Sequence, residues 1–134
     1  MLKVVFRIHS IAAASYAVVL LFLPTLFWRL TAKDPATDFG IGIAQLLGAP
    51  MVFMTCVTWL ASGINDPKIQ RPLALAVLLY LSTGFIVTLA QQLQGKMGVL
   101  GWSSPLSYSV FALLYAVALF RKDRNLDLAA TVQG

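Results

Sequence analysis

The sequence predicts an all-α protein, an antiparallel bundle of four transmembrane helices with both termini in the cytoplasm, and three observations predict it. Of the 134 residues, 59% are hydrophobic and only 11% are charged, less than half the roughly 25% charged content of a soluble domain. The mean hydropathy is correspondingly high, at +0.81. Four stretches, 8–28, 39–65, 72–95 and 97–120, hold no Lys, Arg or Asp. Each reaches the roughly 20 residues that a helix needs to cross about 30 Å of hydrocarbon.

The elements follow in order. The first helix is expected over about 8–28, behind Lys3 and Arg7. Its apolar run from Ile11 to Trp28 exceeds the roughly 7–15 residues of a secretory signal and lacks an A-x-A site after it, so it reads as a retained span. A second helix, about 40–63, follows Asp34 and Pro35 and carries Pro50 as a site of bending. The third, about 72–93, follows Asp66 and Pro67, a cap residue with a proline in the first turn. Its Leu, Ile, Val and Phe residues each favour insertion by roughly 0.3 to 0.6 kcal/mol, and no charge at about 2.5 to 3.5 kcal/mol opposes them. The fourth helix, about 104–120, opens at Ser103, Ser104 and Pro105, after a connection loosened by Gly95, Gly98 and Gly101. Short connections make each helix antiparallel to the one before it. Residues 1–124 thus form one domain, and 125–134 a short mobile tail.

Orientation follows from the basic residues. Lys3, Arg7, Lys68, Arg71, Arg121, Lys122 and Arg124 fall on one side and Arg29, Lys33 and Lys96 on the other, seven against three, which the positive-inside rule reads as termini inside. Trp28 and Trp102 then lie at the outer interface. Lys3, Arg7, Arg121, Lys122 and Arg124 are either topology anchors or contacts for anionic lipid, each worth about 1 kcal/mol near a charged surface. With net charge +5 carried beside apolar runs, the partners expected are membrane lipids and other transmembrane subunits or a second copy, and no nucleic acid.

Chemistry is sparse. All five carboxylates are Asp (Asp34, Asp38, Asp66, Asp123 and Asp127), and none falls inside a span, which leaves no intramembrane carboxylate relay for proton-coupled transport. Gly101-Trp102-Ser103 begins a G-x-S-x-G elbow, but Pro105 replaces the last glycine. One Cys and one His supply no metal site by spacing. The chain therefore reads as non-enzymatic. His9, at the inner end of the first helix, is a candidate axial ligand for a haem or chlorophyll-type pigment, or an interfacial hydrogen-bonding group that could pair with Asp66.

Two constellations remain. Gly40, Ala44 and Gly48 form a small-residue ridge of the kind that lets helices approach closely, within the chain or at a partner interface. Gln45, Thr88, Gln91 and Tyr108 are expected in the outer half of the bundle, Gln45 about 8 Å inside its helix end at ~1.5 Å per residue. They read either as interhelical hydrogen-bonding groups or as a polar cluster for a lipid head group or quinone carbonyl.

The stretches FRIHSIAAASYAVVLLFLP, LLGAPMVFMTCVTWLA and LGWSSPLSYSVFALLYAVALF resemble those of small four-helix integral membrane proteins widespread in bacteria, a group that brings no activity to transfer. The matching features are Arg7 at the start of the first helix, Leu46 to Ala49, and Gly101 with Trp102. The resemblance implies the four-helix fold and a bacterial-type inner membrane. Together these readings lead to the expectation of an accessory or scaffold subunit of a larger respiratory or photosynthetic complex. The alternative is a lipid- or quinone-binding carrier that uses the outer polar cluster.

Overall fold

The computed structural model describes residues 1–35 and 37–120. Among them are five α-helices, α1 (Leu2–Phe22), α2 (Pro24–Thr31), α3 (Asp38–Gly63), α4 (Pro67–Leu93) and α5 (Ser103–Phe120), with a 3-10 turn at Val99–Trp102 before α5. Four segments are long and apolar enough to cross a membrane: α1, α3, α4 and the turn together with α5. The architecture is that of an integral membrane protein.

The first span differs from the expected 8–28. It starts at Leu2 and stops at Phe22, and Leu23 leaves the helical region at φ −128°, ψ 42°. Pro24 is the reason. Its ring displaces the preceding residue from helical geometry and crowds the carbonyl one turn back, while its fixed φ suits the first position of a new helix. The chain restarts there as α2, an eight-residue helix. Pro50, by contrast, is carried inside a continuous α3.

The other boundaries also shift for local reasons. α3 is capped by Thr37, whose Oγ1 accepts from Gly40 N at 3.0 Å, so Asp34 and Pro35 stay in the preceding loop. α4 begins at Pro67, with Asp66 Oδ1 accepting from Lys68 N at 2.9 Å, and Pro72 falls inside it. Gly95, expected to loosen the third connection, instead terminates α4. At φ +70° it lets Gly95 N reach Gln92 O (3.0 Å) and Lys96 N reach Gln91 O (3.2 Å), the paired bonds that close a helix through a left-handed glycine.

Packing follows seams of three- and four-residue steps. α1 buries Phe6, Ser10, Ala13, Ala17 and Leu20, α3 buries Gly40, Ala44, Gly48, Met54, Thr58 and Ala61, and α4 buries Gln70, Ala74, Val77 and Leu81. Rising numbers in α1 meet falling numbers in α3. Lys3 Nζ donates to Asn65 Oδ1, Ser10 Oγ donates to Thr55 O at 2.9 Å, Leu21 lies on Gly48, and Trp28 of α2 lies on Gly40. α5 packs along α4, with Tyr108 on Gly84, and reaches α1 through Phe6 and Tyr115, whose ring centroids are 5.2 Å apart. α3 and α4 share their corner, where Gln70 Nε2 donates to Ala61 O and Ile64 O at 3.2 and 3.3 Å, but are otherwise scarcely in backbone contact.

We call the end that holds Lys3, Asn65 and Gln70 the basic end, and the end that holds Trp28 and Trp102 the tryptophan end. At the tryptophan end, an isolated antiparallel bridge joins Ala32 to Met97, and Gly98 N donates to Thr31 O at 2.8 Å. These contacts fasten the connection between α2 and α3 to the one after α4.

Candidate functional site

Buried polar side chains gather toward the basic end. His9 is only 6% exposed. Its Nδ1 lies 3.2 Å from Tyr115 Oη, its ring stacks on Phe111 at a centroid distance of 4.7 Å, and Tyr115 meets it edge-on. The four-residue step from Phe111 to Tyr115 puts both rings on one face of α5, and the three-residue step from Phe6 to His9 does the same on α1. Ser10, Thr58 and Ser62 are buried beside this cluster, and each hydroxyl donates to a backbone carbonyl of α3. A buried imidazole with one nitrogen bonded, one face stacked on Phe111 and Tyr115 set edge-on acts as a packing lock. With Nδ1 facing Tyr115 Oη, any axial ligation by His9 would have to use Nε2. Asp66, the alternative partner, is occupied with its own helix cap.

The polar quartet expected in the outer half lies toward the tryptophan end but does not converge. Gln45 is exposed, and its Nε2 makes one long contact, 3.5 Å, to Leu21 O. Thr88 Oγ1 donates within its own helix to Gly84 O at 2.8 Å. Gln91 is exposed. Tyr108 packs on α4: its ring lies on Gly84 and meets Tyr80 at a centroid distance of 6.3 Å. Adjacent to Gln91, Gln92 is the inward amide that sequence reasoning passed over. Its Nε2 donates to Gly98 O at 3.2 Å, and its Oε1 is buried with no hydrogen-bond partner. Two successive glutamines in a helix point about 100° apart, and periodicity in an all-apolar helix does not say which one faces inward.

The small-residue ridge is used within the chain. A Cβ on Gly48 would lie 2.6 Å from Leu21 Cγ, and one on Gly40 would lie 2.7 Å from the Trp28 ring. Ala44 is buried between them on the same face of α3. Of the residues expected to meet anionic lipid, Lys3 and Arg7 are exposed at the basic end. Arg121, Lys122, Arg124 and the tail 125–134 lie outside the described residues.

Among the described residues, no group of three or more His, Cys, Asp or Glu side chains could hold a metal ion. Comparison with family models, curated proteins and solved structures yields no match.

Proposed function

We propose that this chain is a non-enzymatic accessory or scaffold subunit of a larger complex, respiratory or photosynthetic, in a bacterial inner membrane or an equivalent energy-transducing membrane. In this reading the four spans form an antiparallel bundle with both termini cytoplasmic, and the basic end faces the cytoplasm. One observation carries it. Phe39, Leu46, Phe53 and Leu60 recur every seven residues along α3 and are between 66% (Phe53) and 80% (Phe39) exposed. Ile43, Pro50 and Val57 interleave with them, which completes the alternating four- and three-residue step of a knobs-into-holes seam. The seam spans α3 from end to end, beside the face already packed on α1. Lipid asks only that a face be apolar, whereas a seam of this period also suits a further transmembrane helix.

Purification in mild detergent, followed by mass spectrometry of co-purifying proteins, lipids and pigments, tests the reading. A stoichiometric transmembrane partner is expected, and it should be lost from a Phe53→Ala, Leu60→Ala double variant that keeps its helix content. Recovery of a monomer carrying one defined small molecule and no protein would overturn it. For the topology, single cysteines are placed at 64–66 in a Cys56→Ser background. They should resist an impermeant thiol reagent added to intact cells, and labelling there would place the basic end outside.

A further inference from the structure

The face of α3 turned away from α1 carries two stripes, one of large and one of small side chains. Phe39, Leu46, Phe53 and Leu60 form an exposed ridge. Each is followed three residues on by a small residue, Gly42, Ala49, Cys56 and Gly63, and all four of these are exposed as well. Three residues fall about 60° short of a full turn at ~3.6 residues per turn, so the small stripe is a groove running beside the ridge. Nothing within the chain accounts for it. A Cβ added to Gly40, Gly48 or Gly84 would lie 2.7, 2.6 or 2.5 Å from a neighbouring side chain, whereas one on Gly42 or Gly63 would meet nothing within 4 Å. A helix face turned to lipid gains nothing from such gaps, which forfeit dispersion contacts and loosen the helix.

Two polar groups on this face are poorly provided for. Pro50 lies inside α3 and has no N–H, so Leu46 O, one turn back, lacks the donor that a regular helix would give it. Gln45, at the far side of the groove, is exposed, and its Nε2 reaches only Leu21 O, at 3.5 Å, long for a hydrogen bond. A carbonyl without its donor and an amide with one weak contact thus stand on opposite flanks of the same seam, within the span, where unmet polar groups are costly. One helix cannot bring its own two flanks together.

We propose that this face pairs with the same face of a second copy of the chain, as a parallel dimer of α3 helices about a two-fold axis along the membrane normal. The proposal rests on the α3 seam being a partner surface, and it names the partner. Copies of one chain enter the membrane in one orientation, so their α3 helices run parallel. Rotation by a half turn about the normal exchanges the two flanks. It sets the ridge of each copy in the groove of the other and keeps residues of equal number at equal depth. A different helix would have to supply a matching ridge and groove, whereas a second copy already has both. The same rotation brings Gln45 of one copy beside Pro50 of the other, where the amide donates to Leu46 O, twice by symmetry. With a large side chain presenting on the order of 200 Å² when free, the ridge, at least 66% exposed throughout, offers about 600 Å² per copy. Two ridges bury roughly 1,200 Å² before the groove is counted, which reaches the size of a specific interface.

Cys56, the only cysteine, stands midway along the groove and would meet its counterpart beside the axis. The test oxidises the full chain with copper-phenanthroline in dilute phosphatidylethanolamine and phosphatidylglycerol liposomes. The wild type is expected to give a disulfide-linked dimer on a non-reducing gel. In a Cys56→Ser background, Ala49→Cys should link as well, and Leu47→Cys, off the seam, at least tenfold less. Energy transfer between copies labelled at the amino terminus measures association directly. It should weaken at least tenfold in Ala49→Leu, which fills the groove, and at least threefold in Gln45→Leu, with helix content unchanged by circular dichroism. Should Ala49→Leu fail to fold, the cysteine series and Gln45→Leu decide. A wild type that does not link, links equally through positions 47 and 56, or forms ladders beyond the dimer overturns the proposal. If the Phe53→Ala, Leu60→Ala variant then still releases a different protein in mild detergent, the seam is a partner surface and only its occupant is misnamed. Release of no protein at all removes both readings.

Discussion

His9 Nδ1 and Tyr115 Oη lie 3.2 Å apart, 106 residues distant in sequence, and their contact joins the first membrane span to the last. Both side chains are buried, so neither can turn to water if the other is removed. Replacing Tyr115 by Phe keeps the ring and strands the imidazole, at a cost of about 1–3 kcal/mol. Replacing both, with His9→Leu and Tyr115→Phe, should cost less than that single change. Thermal unfolding in detergent around a double-mutant cycle measures the difference. A double variant less stable than either single one would show that the bond is not the main connection.

Gly84→Ala should force Tyr108 off α4. With the added carbon 2.5 Å from the ring, overpacking should cost about 1–3 kcal/mol. The emission of the displaced tyrosine should change alongside the melting temperature.

Two glycines of α3, one on the ridge and one off it, lead to a comparison. Gly48→Leu collides with Leu21 and should destabilise the monomer without changing its assembly size, as read by light scattering. Gly42 faces open space. Gly42→Ala should therefore raise stability by roughly 0.5–1 kcal/mol through helix propensity alone. Equal melting temperatures for the two variants would contradict internal use of the ridge.

Gly101→Ala places a carbon 2.6 Å from Met97 Cβ, 2.7 Å from Gln92 Oε1 and 3.2 Å from Thr31 O. It should loosen the Ala32–Met97 bridge. Hydrogen exchange at Gly98, whose N–H donates to Thr31, is expected to accelerate at least tenfold, while the α1–α3 interface keeps its protection.

The four spans were legible because a charge-free run of sufficient length in a membrane has few alternatives to helix. What was less legible depended on single residues. Whether a proline breaks a helix or is carried inside it depends on neighbours, and Pro24 and Pro50 took opposite courses with similar apolar flanks. Asp66 and Pro67 read correctly as a helix start, since the cap and the proline both act within one turn. Asp34 and Pro35 did not, because Thr37 offered a cap nearer the apolar run. The expected polar quartet relied on depth alone, and equal depth does not bring Gln45 to Gln91 and Tyr108 when α3, which carries it, hardly meets α4 and α5. Tyr80 was visible as a residue, but Gly84, which lets Tyr108 lie against α4 beside it, acts across helices, where sequence spacing carries no information.

The bridge between Ala32 and Met97 has a mechanical consequence. α3 and α4 are joined at one end by the three residues between them, and at the other end their flanking connections are stapled together. A pair of rods restrained at both ends cannot swing apart like jaws and can only bow in the middle.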